Sequence, residues 1–253
     1  MTKLGFQLYS ARNFTPLSNT LQALAKAGYA EVEGYGALYS ELDAHALKTM
    51  KDELDDNGLS MSTGHFGLDL LENEPARAML IARTLGIEAI YCPYLMPDQR
   101  PTDGAGWFAF GKRLSEAGRR FRDAGYAFGW HNHDFEFKPL ADGSIPLDHI
   151  LAGGPDLDWE ADIAWIIRGG DDPFTWIERY GERIGAVHVK DIAAAGKNAD
   201  EDGWADVGHG TVDWKRLMAA LRNTRAKYFI IEHDNPSDVG RLIRRSIAAF
   251  NTY

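Results

Sequence analysis

A chain of 253 residues with 45% hydrophobic side chains can bury a substantial core as one domain, and its single cysteine, Cys92, excludes an internal disulfide framework. With 37 acidic against 27 basic residues the formal net charge is −10, a field that repels a phosphate backbone and argues against nucleic acid as a partner. No apolar run reaches membrane-spanning length, and the chain moves at once into Leu4-Gly5-Phe6-Gln7-Leu8, so neither a membrane segment nor a secretory leader is expected and the expected compartment is the cytoplasm.

Short apolar runs predict eight strands, at roughly 4–8, 30–33, 59–64, 88–92, 126–131, 157–162, 186–190 and 228–232. Thr15-Pro16 predicts a cap followed by proline in the first helical position, opening a helix that runs to Gly28. Gly28, Gly58, Gly86 and Gly125 each separate a helical pattern from the next apolar run, and each suits the left-handed position that ends a helix. Residues 75–85 and 105–124 carry apolar side chains at three- and four-residue intervals. Asp172-Pro173 opens the helix after the sixth strand, and the last helix starts near Asp238. No glycine-rich dinucleotide loop follows the first strand, so the alternation predicts an α/β fold closed as a (β/α)8 TIM barrel, with residues 1–253 as a single domain. Two connections are long, 95–107 and 191–214, and both leave the C-terminal ends of strands. The second is rich in Gly, Ala and Asp, which predicts a loosely packed lid.

Polar residues interrupt the strands where they end. Gln7, Glu33 and His65 close the first three, and the fifth runs into His131-Asn132-His133-Asp134-Phe135-Glu136. The sixth ends at Asp162, the seventh at His188-Val189-Lys190-Asp191, and the eighth at Glu232-His233-Asp234-Asn235. All fall at the barrel face that carries active sites. Alternation puts Glu160 and Asp162 on one face, His188 and Lys190 on one face, and Ile230 and Glu232 on one face. Asp162, His188 and Glu232 can therefore converge on the axis, a set of oxygen and nitrogen donors that suits one divalent ion: Mn²⁺, Zn²⁺, Mg²⁺ or Co²⁺. Buried Glu160 needs a partner, and Lys190 is the expected one.

Gln-Leu-Tyr-Ser at 7–10, His-Asn-His-Asp-Phe-Glu-Phe at 131–137, Ala-Asp-Ile-Ala-Trp at 161–165, His-Val-Lys-Asp at 188–191 and Glu-His-Asp-Asn-Pro at 232–236 together resemble the sugar phosphate isomerase/epimerase family of xylose-isomerase-like barrels. Val207-Gly208, Gly210 and Asp213-Trp214 extend the likeness, which covers nearly the whole chain. The resemblance implies four metal ligands, on strands five to eight. The last three fall on Asp162, His188 and Glu232. Many relatives read Glu-Asn-His on strand five where this chain reads His131-Asn132-His133. Either His131 replaces the glutamate, Glu136 turns back to supply it, or the metal is lost. Glu136 is the expected ligand because a second anionic oxygen offsets the metal charge better than a neutral imidazole, although its parity requires a strand that has ended or bulged.

The expected activity is a metal-dependent isomerase or epimerase of a sugar or keto-sugar, acting through a metal-stabilised enediolate. Glu136, Glu232, His133 and Lys190 are the candidate catalytic groups, and Gln7, Glu33, His65, His131 and Trp165 the candidate substrate contacts. The alternative is a lyase on the same enolate, acting on a keto-inositol or a 3-keto-glycoside. A metal nuclease of the apurinic-site endonuclease type is disfavoured by eight histidines in all and the net charge of −10. The expected partner is a small sugar, with assembly into a homo-oligomer left open.

Overall fold

The parallel strands are short, buried on both faces and joined through helices, and they close on themselves in a computed structural model that describes residues 4–40 and 42–253. In chain order they are β1 (Leu4–Gln7), β2 (Glu31–Gly34), β3 (Ser60–His65), β4 (Ala89–Cys92), β5 (Ala127–His131), β6 (Asp158–Asp162), β7 (Ile184–Val189), the hairpin strands β8 (Asp191–Ile192) and β9 (Trp204–Ala205), and β10 (Tyr228–Ile231). β1 to β7 pair in sequence order, and β10 closes the ring between β7 and β1 with Leu4 opposite Phe229 and Phe6 opposite Ile231. This is the expected eight-stranded barrel.

Helices α1 (Leu17–Ala27), α2 (Gly36–Ser40), α3 (Ala44–Asp56), α4 (Leu68–Asn73), α5 (Pro75–Leu85), α6 (Gly104–Asp123), α7 (Pro146–Gly153), α8 (Ile163–Gly169), α9 (Pro173–Tyr180), α10 (Trp214–Leu221) and α11 (Val239–Phe250) connect the strands. The glycines that end helical patterns do adopt positive φ, 98° at Gly28 and 80° at Gly86, which a side chain would disfavour. At the start of α1 the details differ from expectation. Pro16 itself holds the cap position after a cis Thr15–Pro16 bond, and no side chain caps the helix.

The molecule has two cores. The larger lies between strands and helices and includes Trp130, Trp159 and Trp214, all buried. The smaller fills the barrel's interior with Ala89, Tyr91, Ala186 and Ile230. No helix among the described residues is long and apolar enough to cross a membrane.

The 191–214 connection is better packed than its composition suggested. β8 and β9 form an antiparallel hairpin, and Trp204 is buried beneath the Arg168 guanidinium, 3.2 Å from the ring centroid. The Asp191 carboxylate accepts backbone N–H bonds from Ile192, Gly208, Gly210 and Val212 at 2.9–3.1 Å. Arg241 of α11 ties the loop down, donating to Asp206 at 2.8 Å and to Glu201 at 2.7 Å. Residues 194–200 form a continuously exposed tip, and 208–211 a shorter exposed stretch. Small residues predicted looseness, whereas side-chain to backbone bonds supplied the packing that small residues lack.

Candidate active site

Register decides which strand ends meet. The ladder sets His131 opposite Glu160, and Asp162 opposite His188. Donor atoms of Asp162, His188 and Glu232 lie within 4.8 Å of one another, and all three residues are buried. His188 Nδ1 is 2.9 Å from Glu232 Oε2 and 3.9 Å from Asp162 Oδ2. The Lys190 ammonium stands beside the same carboxylates, 3.2 Å from Glu232 and 3.4 Å from Asp162, and donates to Asp234 Oδ1 at 2.7 Å.

Asp162 is held rigidly. Its Oδ1 caps α8 by accepting from Trp165 N at 2.9 Å, while Asn132 Oδ1 accepts from Asp162 N at 3.0 Å and from Trp159 Nε1 at 2.8 Å. Asn132 Nδ2 closes the link by donating to the Asp162 carbonyl at 3.1 Å. The other carboxylate oxygen, Asp162 Oδ2, is buried with no hydrogen-bond donor. Burial pushes Asp162 up to about 6 against the pull of Lys190 and His188. At Glu232 burial is outweighed, and Lys190 and His188 hold the carboxyl well below its ordinary range. Two carboxylates and an imidazole, with Asp162 Oδ2 ion-paired to Lys190 but accepting no hydrogen bond, fit a divalent cation.

A second polar layer lies below. Glu33 Oε1 accepts from Gln7 Nε2 at 2.7 Å and lies 2.6 Å from His188 Nε2, so His188 is oriented by a carboxylate on each ring nitrogen. Glu160 Oε2 is 2.5 Å from His65 Nε2 and 3.1 Å from His131 Nδ1. Burial raises the Glu160 carboxyl and the neighbouring Glu33 raises it further, whereas His65 and His188 outweigh burial and lower Glu33.

Above these residues opens a cavity of ≈ 560 Å³. Its aromatic lining is Tyr9, Tyr35, Tyr94 and Trp165, and its polar lining includes Arg12, His65, His131, His133, Asp202, Glu232 and Asp234. His133 is brought down to about 3, chiefly by burial and then by Lys190, which leaves a neutral imidazole at neutral pH.

Several expected residues lie elsewhere. Glu136 sits in a 3-10 turn, Phe135–Phe137, where Oε1 accepts from Trp130 Nε1 at 2.8 Å and Oε2 from His133 N at 3.0 Å. It is fully buried, away from the cavity lining and outside the converging donor set, so the structure does not bring it together with the other expected metal ligands. Trp130 has the outward parity of β5, and Glu136 follows it outward. Gln7 and Glu33 are fully buried below the cavity, too deep to touch a substrate, because they face the axis one layer beneath the mouth. Lys190 pairs with Asp162, Glu232 and Asp234, and the partners of Glu160 are His65 and His131. His65, His131 and Trp165 do line the cavity.

Three contributors were not singled out from sequence. Asn132 positions Asp162, Asp234 holds Lys190, and Arg12 donates to the Asp234 carbonyl at 2.6 Å while lying over the Tyr9 ring. Asn132 was the legible one: an amide between two axis-facing histidines faces a neighbouring strand, where only backbone groups need partners.

Acids and imidazoles gathered at the C-terminal mouth of a closed parallel barrel are the arrangement of (β/α)8-barrel enzymes. The chain belongs to the xylose isomerase-like TIM barrel family, whose sequence profile matches residues 21–253. It is 25% identical to the rhizopine catabolism protein MocC of Rhizobium meliloti over 248 residues, 86% of this chain and 74% of that protein. A solved sugar phosphate isomerase/epimerase from Parabacteroides distasonis superposes with a TM-score of 0.81 at 22% identity, covering 98% of this chain and 92% of that one. The IOLI protein, solved with a bound zinc atom, gives a TM-score of 0.77 at 15% identity, covering 99% and 97%. At these identities the two structures share the fold.

Proposed function

We propose that this protein is a divalent-metal-dependent isomerase or epimerase of a sugar or keto-sugar, working by proton transfer at the carbon beside a carbonyl. The observation that carries this reading is the convergence of Asp162, His188 and Glu232 beside a cavity walled by aromatic rings, with Asp162 Oδ2 left without a donor. Asp162, His188 and Glu232 would hold a divalent ion, which would supply positive charge beside a substrate carbonyl. Lys190 adds a fixed cation to the same place, and Trp165 and the tyrosines offer faces on which a sugar ring stacks. Glu232 and His133 are cavity-lining groups that hold no proton at neutral pH, so either can take the proton from carbon and return it on the same face, and inversion at that carbon needs a proton from solvent on the other face. The charged lining sets Arg12 against Asp202, Glu232 and Asp234, a balance that suits a small polyol better than a phosphodiester.

Metal analysis of the purified protein followed by incubation of keto-sugars in D₂O tests the reading. Deuterium is expected beside the carbonyl of at least one substrate, without loss of water. Loss of a leaving group from the adjacent carbon would assign a lyase to the same site. Metal-dependent scission of abasic DNA that vanishes in Asp162→Ala would overturn sugar chemistry altogether.

A further inference from the structure

The proposed reaction leaves the lower layer without a role of its own. His65 on β3, His131 on β5 and Glu160 on β6 are buried, and their donor atoms lie within 4.8 Å of one another. Glu160 Oε2 is 2.5 Å from His65 Nε2 and 3.1 Å from His131 Nδ1. Ligands about 2.0–2.2 Å from a tetrahedral ion stand roughly 3.3 Å apart, so small movements suffice to admit one. Two fully buried oxygens here, Glu160 Oε1 and Glu33 Oε2, have no donor.

Charge points the same way. Of five acidic side chains in the two layers, Asp162, Glu232 and Asp234 pair with the Lys190 ammonium, whereas Glu33 and Glu160 pair with His188 and His65. Lys190 offsets Asp234, and a divalent ion at the mouth offsets Asp162 and Glu232. Glu33 and Glu160 remain, two buried carboxyls whose ion-pair neighbours are the imidazoles of His65, His131 and His188.

We propose that the chain has a second cation site, one layer beneath the mouth, in which His65, His131 and Glu160 hold Zn²⁺. Two imidazoles and one carboxylate form a borderline-soft set that selects zinc over magnesium or calcium. His65 and His131 both line the cavity above this site. His188 belongs to both donor clusters and stands between them, with Nδ1 toward Glu232 and Nε2 toward Glu33 and 3.5 Å from Glu160 Oε2.

Zinc titration of the chelator-treated full chain, with anomalous scattering from crystals of the wild type grown in zinc, tests the site. The wild type is expected to bind two ions, with one anomalous peak bounded by His65, His131 and Glu160. Asp162→Ala/Glu232→Ala should retain one ion, and His65→Gln or Glu160→Gln should weaken only the lower one, by at least about 100-fold. Cobalt in the mouth-disabled variant should give the intense visible bands of a four-coordinate ion. A map whose only peak lies between Asp162, His188 and Glu232 overturns this proposal and leaves the mouth site standing. A single ion kept in the mouth-disabled variant and lost in Glu160→Gln does the reverse. The crystallographic result does not depend on any variant folding.

Discussion

The ends of β6, β7 and β10 and the end of β5 carry similar residues, yet they behave differently. Asp162 and His188 lie within the strand ladder and Glu232 directly follows it, and all three converge at the axis. His131, the last residue of β5, is likewise in register and faces inward. Glu136 lies five residues further on, beyond the ladder, and a short turn folds it back under Trp130. A side chain inside a ladder has its direction set by alternation, while one past the end takes whatever direction its turn allows.

That contrast can be broken at several points. Asp162→Ala or Glu232→Ala should abolish divalent-ion binding at the mouth and turnover together, measured by equilibrium titration and the deuterium-exchange assay. A variant that keeps both activities would show that convergence at the axis does not make the site. Asn132→Ala removes the clamp on Asp162 and should weaken ion binding by about 10–100-fold, the usual cost of losing an orienting partner. Equal affinity in that variant would mean α8 alone positions the carboxylate.

The β5 comparison sharpens the contrast further. His131→Gln should weaken the lower ion about 100-fold, whereas Glu136→Gln should leave divalent-ion affinity unchanged, because Glu136 lies in neither donor set. The opposite order would return Glu136 to the metal. In the 191–214 connection, Arg241→Ala leaves Glu201 with the Ser237 N–H and Asp206 with Arg245 as their remaining donors and should cost about 2 kcal/mol. Limited proteolysis should then spread from the exposed 194–200 tip into 201–206, and cutting confined to the tip would mean the hairpin holds without α11.

A further expected effect concerns pH. Burial raises Glu136 from 4.5 to about 8 despite its two N–H donors. The folded chain therefore keeps a proton that the unfolded chain releases, so this contribution is full below about 4.5 and is lost as pH rises through about 8. An amide mimics the neutral acid, so Glu136→Gln should flatten the fall in urea stability between pH 5 and pH 9. An unchanged slope would show that Glu136 is ionised where it lies.

Sequence alone determined what is periodic or local. Strand–helix alternation implied the barrel, glycines at helix ends placed its turns, and inward parity brought Asp162, His188 and Glu232 to one place. These follow from backbone geometry, which repeats every two residues in a strand and every three to four in a helix. Tertiary structure decided what depends on depth and on partners from distant strands. It placed Gln7 and Glu33 below the reach of substrate, joined Glu160 to His65 and His131 instead of Lys190, and anchored a glycine-rich loop through Asp191 and Arg241. Alternation states which way a side chain points, but only the closed ring, with its stagger between strands, sets how deep it lies and which charge it meets.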